Sequence, residues 1–334
     1  MHQIDFLTTI IDNFGDAGFA FHLAISLLYN DKNLQIRFFC DDKELFLQLK
    51  GNLEIQNLTY YDLKDFEKEK PSQIIYNFFD RKINFEYLHS FSYDIKLINF
   101  SYFLMHDGVK NLHNTSYQSK NVQVTHYIPS LLPEGGGVII SPQIEIFSKE
   151  LEKKGIEHYK KELFPHLAED ILKKDWVSVF CYRETFEQIR ETILQDSQKI
   201  YLVFQHPIEG KNIINMPFLN ILEYEKLLHI CQYNIVRGEN SLVAAIGAKK
   251  PFLWDIYKEH NEAHKYKIED FISFLRQFGE HKEYFEIFRI FNSGDDIGNG
   301  LRKMLLLEQI SLFSDVGEYM YQNAHLLKKG KKEV

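Results

Sequence analysis

Residues 233–264 read YNIVRGENSLVAAIGAKKPFLWDIYKEHNEAH, and this stretch decides the fold. Asn234, Ile235 and Val236 form a short apolar run that ends in Arg237-Gly238. Ser241 is a good N-cap for a helix of small residues over 242–248. Gly247-Ala248 stops that helix and Pro251 opens a second strand at 252–254, the way a buried parallel strand follows a crossover helix. The helix start then stands at the carboxyl end of a strand, beside Arg237. Its free N–H groups and dipole favour an anion, which makes it a ready-made diphosphate site. The same pattern is also ordinary connection in α/β chains, so residue identities must decide between the two.

Working outward, residues 4–11 are rich in β-formers, and Asp12-Asn13-Phe14-Gly15-Asp16-Ala17-Gly18 turns them into an amphipathic helix over 19–28. That loop lies at the carboxyl end of the first strand, where open α/β sheets bind ligands. Asp12 and Asp16 read either as helix caps or as a carboxylate pair in a cleft. Further strands at 35–40, 73–78, 95–100 and 122–127 alternate with charged, helix-compatible segments, which predicts a mostly parallel sheet. Glu134-Gly135-Gly136-Gly137 lacks the Lys-Ser or Lys-Thr of a phosphate loop and reads as a flexible loop. Residues 148–174 are rich in lysine and glutamate and helical, with a solvated face. A second α/β series starts with a strand at 176–182 and continues with a strand at 199–204, a loop at 216–219 and a helix at 222–231. Residues 271–329 are helical by periodicity, and 328–332 form a frayed polar end.

A chain of 334 residues suits two domains of ordinary size. Its net charge of −8 argues against nucleic acid as a partner. Cys40, Cys181 and Cys231 lie in apolar stretches without a Cys-x-x-Cys pair, so they read as buried thiols of a reducing cytosol. There is no basic apolar leader and no run near the ~20 residues that span a bilayer, so a cytoplasmic protein without a membrane partner is expected. His260 and His264 have the spacing of a zinc-binding helix, yet His-Asn-Glu-Ala-His is not His-Glu-x-x-His and no third ligand is evident, so no metal site is expected.

Asn234, Arg237-Gly238-Glu239-Asn240-Ser241, Pro251-Phe252, Trp254, Ile256-Tyr257 and Ala263-His264 with Lys267 follow, Asn240 excepted, a pattern found in one family. Asp12-Asn13-Phe14-Gly15-Asp16-x-Gly18 is matched as well, without a gap. The chain resembles the protein-arginine rhamnosyltransferases that modify translation elongation factor P. Resemblance and element order together imply a GT-B glycosyltransferase architecture. Its two Rossmann-like domains face a cleft, with an acceptor domain at 1–168, a nucleotide-sugar domain at 169–314 and a C-terminal helix at 315–334 returning to the first. The resemblance implies an inverting, metal-independent and cofactor-free transfer of rhamnose from dTDP-β-L-rhamnose to an arginine side chain of elongation factor P. It makes Asp12, Asp16 and Glu239 the catalytic candidates, with Asp16 as base and Asp12 orienting the acceptor. It assigns donor binding to Phe14, Gly15, Phe180, Tyr182, Tyr224, Arg237, Gly238, Asn240, Ser241 and Tyr257. His264 matches the family's Ala-His and orders the loop beneath the nucleotide.

The chemistry fits those residue types. A carboxylate can hold a guanidinium bidentately and accept its proton as the C–N bond forms. The leaving diphosphate needs fixed positive potential, which Arg237 and the amides near Asn240-Ser241 supply. Three positions depart from the family: Asn240 stands for an Asp, Ile221 for the Gln that reads the thymine, and Lys258-Glu259 for Pro-Gln. Two other readings follow from these departures, a GT-B enzyme with another donor or acceptor and a non-catalytic nucleotide-binding protein.

Overall fold

A computed structural model describes residues 2–10, 14–79, 81–258, 263–294, 296–307 and 310–326, and for residues 14, 16 and 263 their backbone only. The chain divides into two compact units, Met1–Pro142 with Gln322–Val334, and Gln143–Tyr321.

The first unit is built on seven strands: β1 (His2–Thr8), β2 (Leu34–Cys40), β3 (Leu58–Asp62), β4 (Ile74–Phe78), β5 (Ile95–Phe100), β6 (Ser116–Ser119) and β7 (Val122–Tyr127). Their order is β3-β2-β1-β4-β5-β7-β6, parallel throughout except for β6 against β7. Strand β1 alternates its side chains across the sheet. Leu7 joins Phe39, Ile75, Leu97 and Val124 on one face, while Phe6 meets Phe38, Tyr76 and Phe78 on the other. Both faces are covered, which is why these strands read as continuous apolar runs. Midway along β1, buried Asp5 accepts both Arg37 Nε and Arg37 Nη2 at 2.7 and 2.8 Å and the Ser72 N–H at 2.7 Å.

Helix Phe14–Asn30 follows β1 and starts five residues ahead of the expected 19. Gly15, Asp16, Ala17 and Gly18 are therefore its first turn and not the turn before it. The apolar side chains of Ala17, Phe19, Ala20 and Phe21 bury fully enough to carry the helix back over both glycines. His22, on the same helix, shares a 2.5 Å hydrogen bond between Nε2 and Ser141 Oγ; burial, with His325 nearby, pulls its pKa down to about 3 and keeps it neutral.

The second unit carries β8 (Asp175–Val179), β9 (Lys199–Phe204), β10 (Ile213–Met216), β11 (Tyr233–Arg237) and β12 (Phe252–Asp255). All are parallel, in the order β10-β9-β8-β11-β12, which repeats the β3-β2-β1-β4-β5 order of the first unit. This is the doubly wound order of nucleotide-binding domains. Its core gathers Trp176, Ile200, Leu202, Leu227 and Ile230.

Several expectations shift. The helical stretch at 148–174 is three helices, Pro142–Lys154, Ile156–Leu163 and Glu169–Lys173, broken first where Gly155 takes a φ of +83°. Phe147, Tyr159 and Leu172 of these helices pack on the Trp176 core, so the units part at 142/143 and not at 168. The apolar face of helix Leu312–Asn323 likewise keeps Phe313 against Phe252 and Tyr284. The chain thus crosses back at 322 instead of 315, where Val138 and Leu326 exchange backbone bonds with Ala324 and Val138. The Gly135–Gly137 stretch is buried, Gly135 against Ser130 and Val109, Gly136 against Tyr127 and Gly137 against that returning end. Gly137, at φ +85°, lies so close that a side chain would collide with the Ala324 carbonyl. The 271–329 region divides into helices Ala263–Leu275, Lys282–Ser293, Ile297–Leu306 and Leu312–Asn323, and residues 327–332 lie outside the described residues. Strands β3, β6 and β10, unmarked by periodicity, are short edge or near-edge strands with mixed burial.

Candidate functional site

Parallel strands end on one edge, and in the second unit four of those ends carry the polar residues. Strand β11 closes on Arg237, directly in register with Asp255 at the close of β12. Strand β8 runs out through Phe180, whose N–H still bonds Ile235 O at 2.9 Å. Strand β9 runs out through Gln205, which takes a left-handed φ of +63°, into His206.

Arg237 is the centre of the arrangement. Its guanidinium lies 4.6 Å from the Phe180 ring centroid and 4.9 Å from that of Tyr182, and its Nη1 donates to Cys181 O at 3.3 Å. Along an extended stretch, alternate residues share a face, so Phe180 and Tyr182 present their rings together while Cys181 turns inward. Burial pushes the Cys181 thiol well above its ordinary range, which leaves it inert. Tyr224, from helix Ile221–Ile230, stands edge-on to Phe180 at 5.7 Å and to Phe204 at 5.6 Å. Burial raises its phenol strongly, with Ser241 opposing. Tyr257 stands edge-on to Tyr182 at 5.4 Å and is 59% exposed.

The helix after Arg237 is Glu239–Gly247, three residues earlier at its start than Ser241 as N-cap would have it. The cap is Gly238, at φ +70° and ψ +164°, a backbone conformation that a side chain would strain. The chain therefore turns immediately after Arg237, and the backbone of Glu239, Asn240 and Ser241 forms the helix's first turn, where the positive end of its dipole lies. Glu239 faces Lys267 Nζ at 3.7 Å, with both side chains about two-fifths exposed. An ion pair of that exposure contributes little to stability, roughly 0–1 kcal/mol.

Asp255, Thr185 and His206 were not picked out from the sequence. Asp255 is 1% exposed; its Oδ2 accepts the Tyr182 N–H at 2.7 Å and its Oδ1 accepts the Thr185 hydroxyl at 2.9 Å. It thereby supplies from across the sheet the cap that helix Arg183–Gln195 lacks locally. Burial pushes its pKa up to about 6, against the pull of those two bonds and of Lys258 and Arg237. A single polar residue closing the apolar Phe252-Leu253-Trp254 run is the signal that marks it. Because its folded pKa lies above the ordinary 3.8, its contribution to stability is full below that value and is lost as pH rises through about 6. Asp255→Asn does not titrate, so its stability relative to wild type is expected to improve by on the order of 2–3 kcal/mol between pH 4 and pH 8. Thermal melts at the two pH values measure this, and an equal difference at both would mean that the carboxyl ionises in its ordinary range.

In the first unit, Gly15 is exposed in the first turn of helix Phe14–Asn30, where residues 14 and 16 also fall. Asp12 and the side chains of Phe14 and Asp16 lie outside the described residues, as does His260. Of the predicted donor residues, Arg237 meets Phe180 and Tyr182, Tyr257 meets Tyr182, and Tyr224 meets Phe180 and Ser241. His264 opens helix Ala263–Leu275 with a buried Nδ1. Among the described residues no group of three or more His, Cys, Asp or Glu stands where it could hold a metal, and no helix is long and apolar enough to cross a membrane.

The chain is similar along most of its length to the protein-arginine rhamnosyltransferase of Shewanella oneidensis, with 25% identity over 316 residues covering 80% of this chain and 79% of that one. Its fold is similar over the whole of both chains to a solved structure that concerns EarP-mediated arginine glycosylation of translation elongation factor EF-P, at a TM-score of 0.62 and 15% identity. It is also similar to the glycosyltransferase SnogD from Streptomyces nogalater, at a TM-score of 0.52 and 9% identity over 99% of this chain and 98% of that one. These likenesses, with the repeated strand order, establish the GT-B fold. The model of the elongation factor P (EF-P) rhamnosyltransferase EarP family matches residues 4–212 and 205–312. The chain therefore belongs to the EarP family of elongation factor P rhamnosyltransferases and is a glycosyltransferase.

Proposed function

We propose that this chain transfers L-rhamnose from dTDP-β-L-rhamnose to an arginine side chain of translation elongation factor P, with inversion at the anomeric carbon and without a metal ion, in the cytoplasm. The observation that carries the reading is Arg237, held against the rings of Phe180 and Tyr182 beside a helix that starts after Gly238. A guanidinium has five N–H donors, and its bond to Cys181 O engages one nitrogen. The flat rings hold the cation in place without neutralising it. Arg237 and the helix N-terminus together supply the positive potential that a departing diphosphate needs. Phe180, Tyr224 and Tyr257 are the apolar surfaces for the base and sugar, and Glu239 holds the sugar or orders Lys267.

In the transfer, a guanidino nitrogen of the acceptor attacks the anomeric carbon as the C–O bond to the diphosphate breaks. The proton of that nitrogen passes to a carboxylate of the Asp12–Asp16 pair, with Asp16 as base. The guanidinium's delocalised lone pair makes it a poor nucleophile, so holding it bidentately against a base is the main service the first unit renders.

Incubation of the purified protein with dTDP-β-L-rhamnose and elongation factor P should add one deoxyhexose to one arginine, read by mass spectrometry. No added mass with this donor, but transfer from a uridine or guanosine diphosphate sugar, would assign the donor to another base. Ile221 and Asn240 are the positions that would account for it. Activity is expected to survive EDTA, because Arg237 and the helix end replace the ion that otherwise stabilises the leaving group. Complete loss with rescue by magnesium would overturn the metal-free reading. A short peptide carrying the target arginine is expected to be a poor substrate in turnover as well as affinity, since a folded acceptor contributes remote contacts that position its guanidinium. Peptide turnover equal to that of the whole factor would remove that role for the acceptor's surface.

A further inference from the structure

The peptide group between Cys181 and Tyr182 is gripped by three side chains from three other elements. Its carbonyl accepts from Arg237 Nη1 at 3.3 Å and from His206 Nε2 at 3.2 Å, and its N–H donates to Asp255 Oδ2 at 2.7 Å. A carbonyl only accepts, so Nε2 carries the proton of His206. Burial, with Arg237 and Arg183, lowers the pKa of that ring and favours its neutral form. The His206 ring also rests on Phe186 at 5.0 Å, and Asp255 is tied down by Thr185. Both gripping groups are thus themselves held.

This arrangement solves a problem that the donor site poses. If Arg237 turns toward a diphosphate it releases the Cys181 carbonyl, and a carbonyl left without a partner in a half-buried site costs free energy. A second donor on the same oxygen removes that cost. With the carbonyl kept by His206 and the N–H kept by Asp255, the peptide plane cannot rotate when Arg237 leaves. Phe180 and Tyr182, the residues on either side, then keep their rings in place.

We propose that Asp255 and His206 are positioning residues for the nucleotide diphosphate: acting through the Cys181–Tyr182 peptide, they hold the aromatic pair that presents Arg237 and let its guanidinium move to the ligand. This rests on the donor reading given under Proposed function. The test measures dTDP binding by calorimetry, and donor and acceptor KM in the transfer reaction, for Asp255→Ala, Asp255→Asn and His206→Phe. Asp255→Ala frees the peptide N–H and is expected to weaken dTDP about tenfold, while His206→Phe keeps the ring on Phe186 but not the donor and is expected to weaken it ~3–10-fold. Asp255→Asn still offers an oxygen to the Tyr182 N–H and an amide to the Thr185 hydroxyl, so it should recover most of the affinity that alanine loses. The losses should appear in donor KM and leave acceptor KM unchanged, a split that general loosening of the fold would not produce. Should Asp255→Ala fail to fold, His206→Phe decides the matter. Binding by the folded alanine and phenylalanine variants within about twofold of wild type would overturn the proposal while leaving the donor site intact. Wild type that binds no dTDP overturns the donor reading, and this proposal with it.

Discussion

Arg237→Ala is expected to weaken dTDP binding about a hundredfold, ~3 kcal/mol, with the fold intact. The figure is the sum of one charge-assisted, bidentate contact to phosphate and the loss of the guanidinium's contacts with Phe180 and Tyr182. Arg237→Lys keeps the charge but has neither the plane that stacks against the rings nor the fork that grips two oxygens, so it should recover less than half of the lost free energy. Calorimetry with dTDP checks both. An unchanged Kd for the alanine variant would place the diphosphate elsewhere on the sheet edge. The stability change should be small, because the side chain is half-buried and its one carbonyl partner keeps His206.

The second large effect falls on turnover. Asp16→Asn is expected to lower kcat by roughly 10²–10⁴-fold, the range by which a positioned general base contributes, while dTDP affinity stays within about threefold. Asparagine keeps the size of the residue and removes only its capacity to take a proton. Asp12→Asn should raise the acceptor KM more than it lowers kcat if its share of the work is to orient the guanidinium. Single-turnover rates with saturating donor and elongation factor P make the comparison, and turnover of Asp16→Asn equal to wild type would sink the assignment of the base. Position 16 lies in the first turn of helix Phe14–Asn30, after the carboxyl end of β1, where ligands meet open parallel sheets.

Much of the fold was legible because its signals are local. The apolar runs of β1, β2, β4, β5, β7, β8 and β9 stand out because both sheet faces are covered, and charged amphipathic segments separate most of them. Strands β3, β6 and β10 were not legible. Residues such as Leu58-Thr59-Tyr60 and Ser116-Tyr117-Gln118 are half-exposed or exposed at the sheet margins, so packing places no strict pattern on them. Helix starts were displaced for a similar reason. A serine at 241 has the right chemistry for a cap, but Gly238 can adopt a backbone angle that serine cannot, and that moves the start to Glu239.

For the candidate site, residue identity along 233–264 singles out Arg237, Gly238, Glu239 and Tyr257 as candidates and points to the family. What these residues lean on was beyond the reach of any local pattern. Asp255 meets Tyr182 across 73 positions of chain, His206 meets Cys181 across 25, and Arg237 meets Cys181 across 56. Strand order alone makes those separations short: β9, β8, β11 and β12 lie side by side and end together. A sequence carries periodicity, caps and breakers, because those depend on neighbours within a few residues. Contacts between strand ends depend on which strands are adjacent, so the chemical class of this protein could be read from its sequence, while what Arg237 and its neighbouring rings lean on was decided by the tertiary structure.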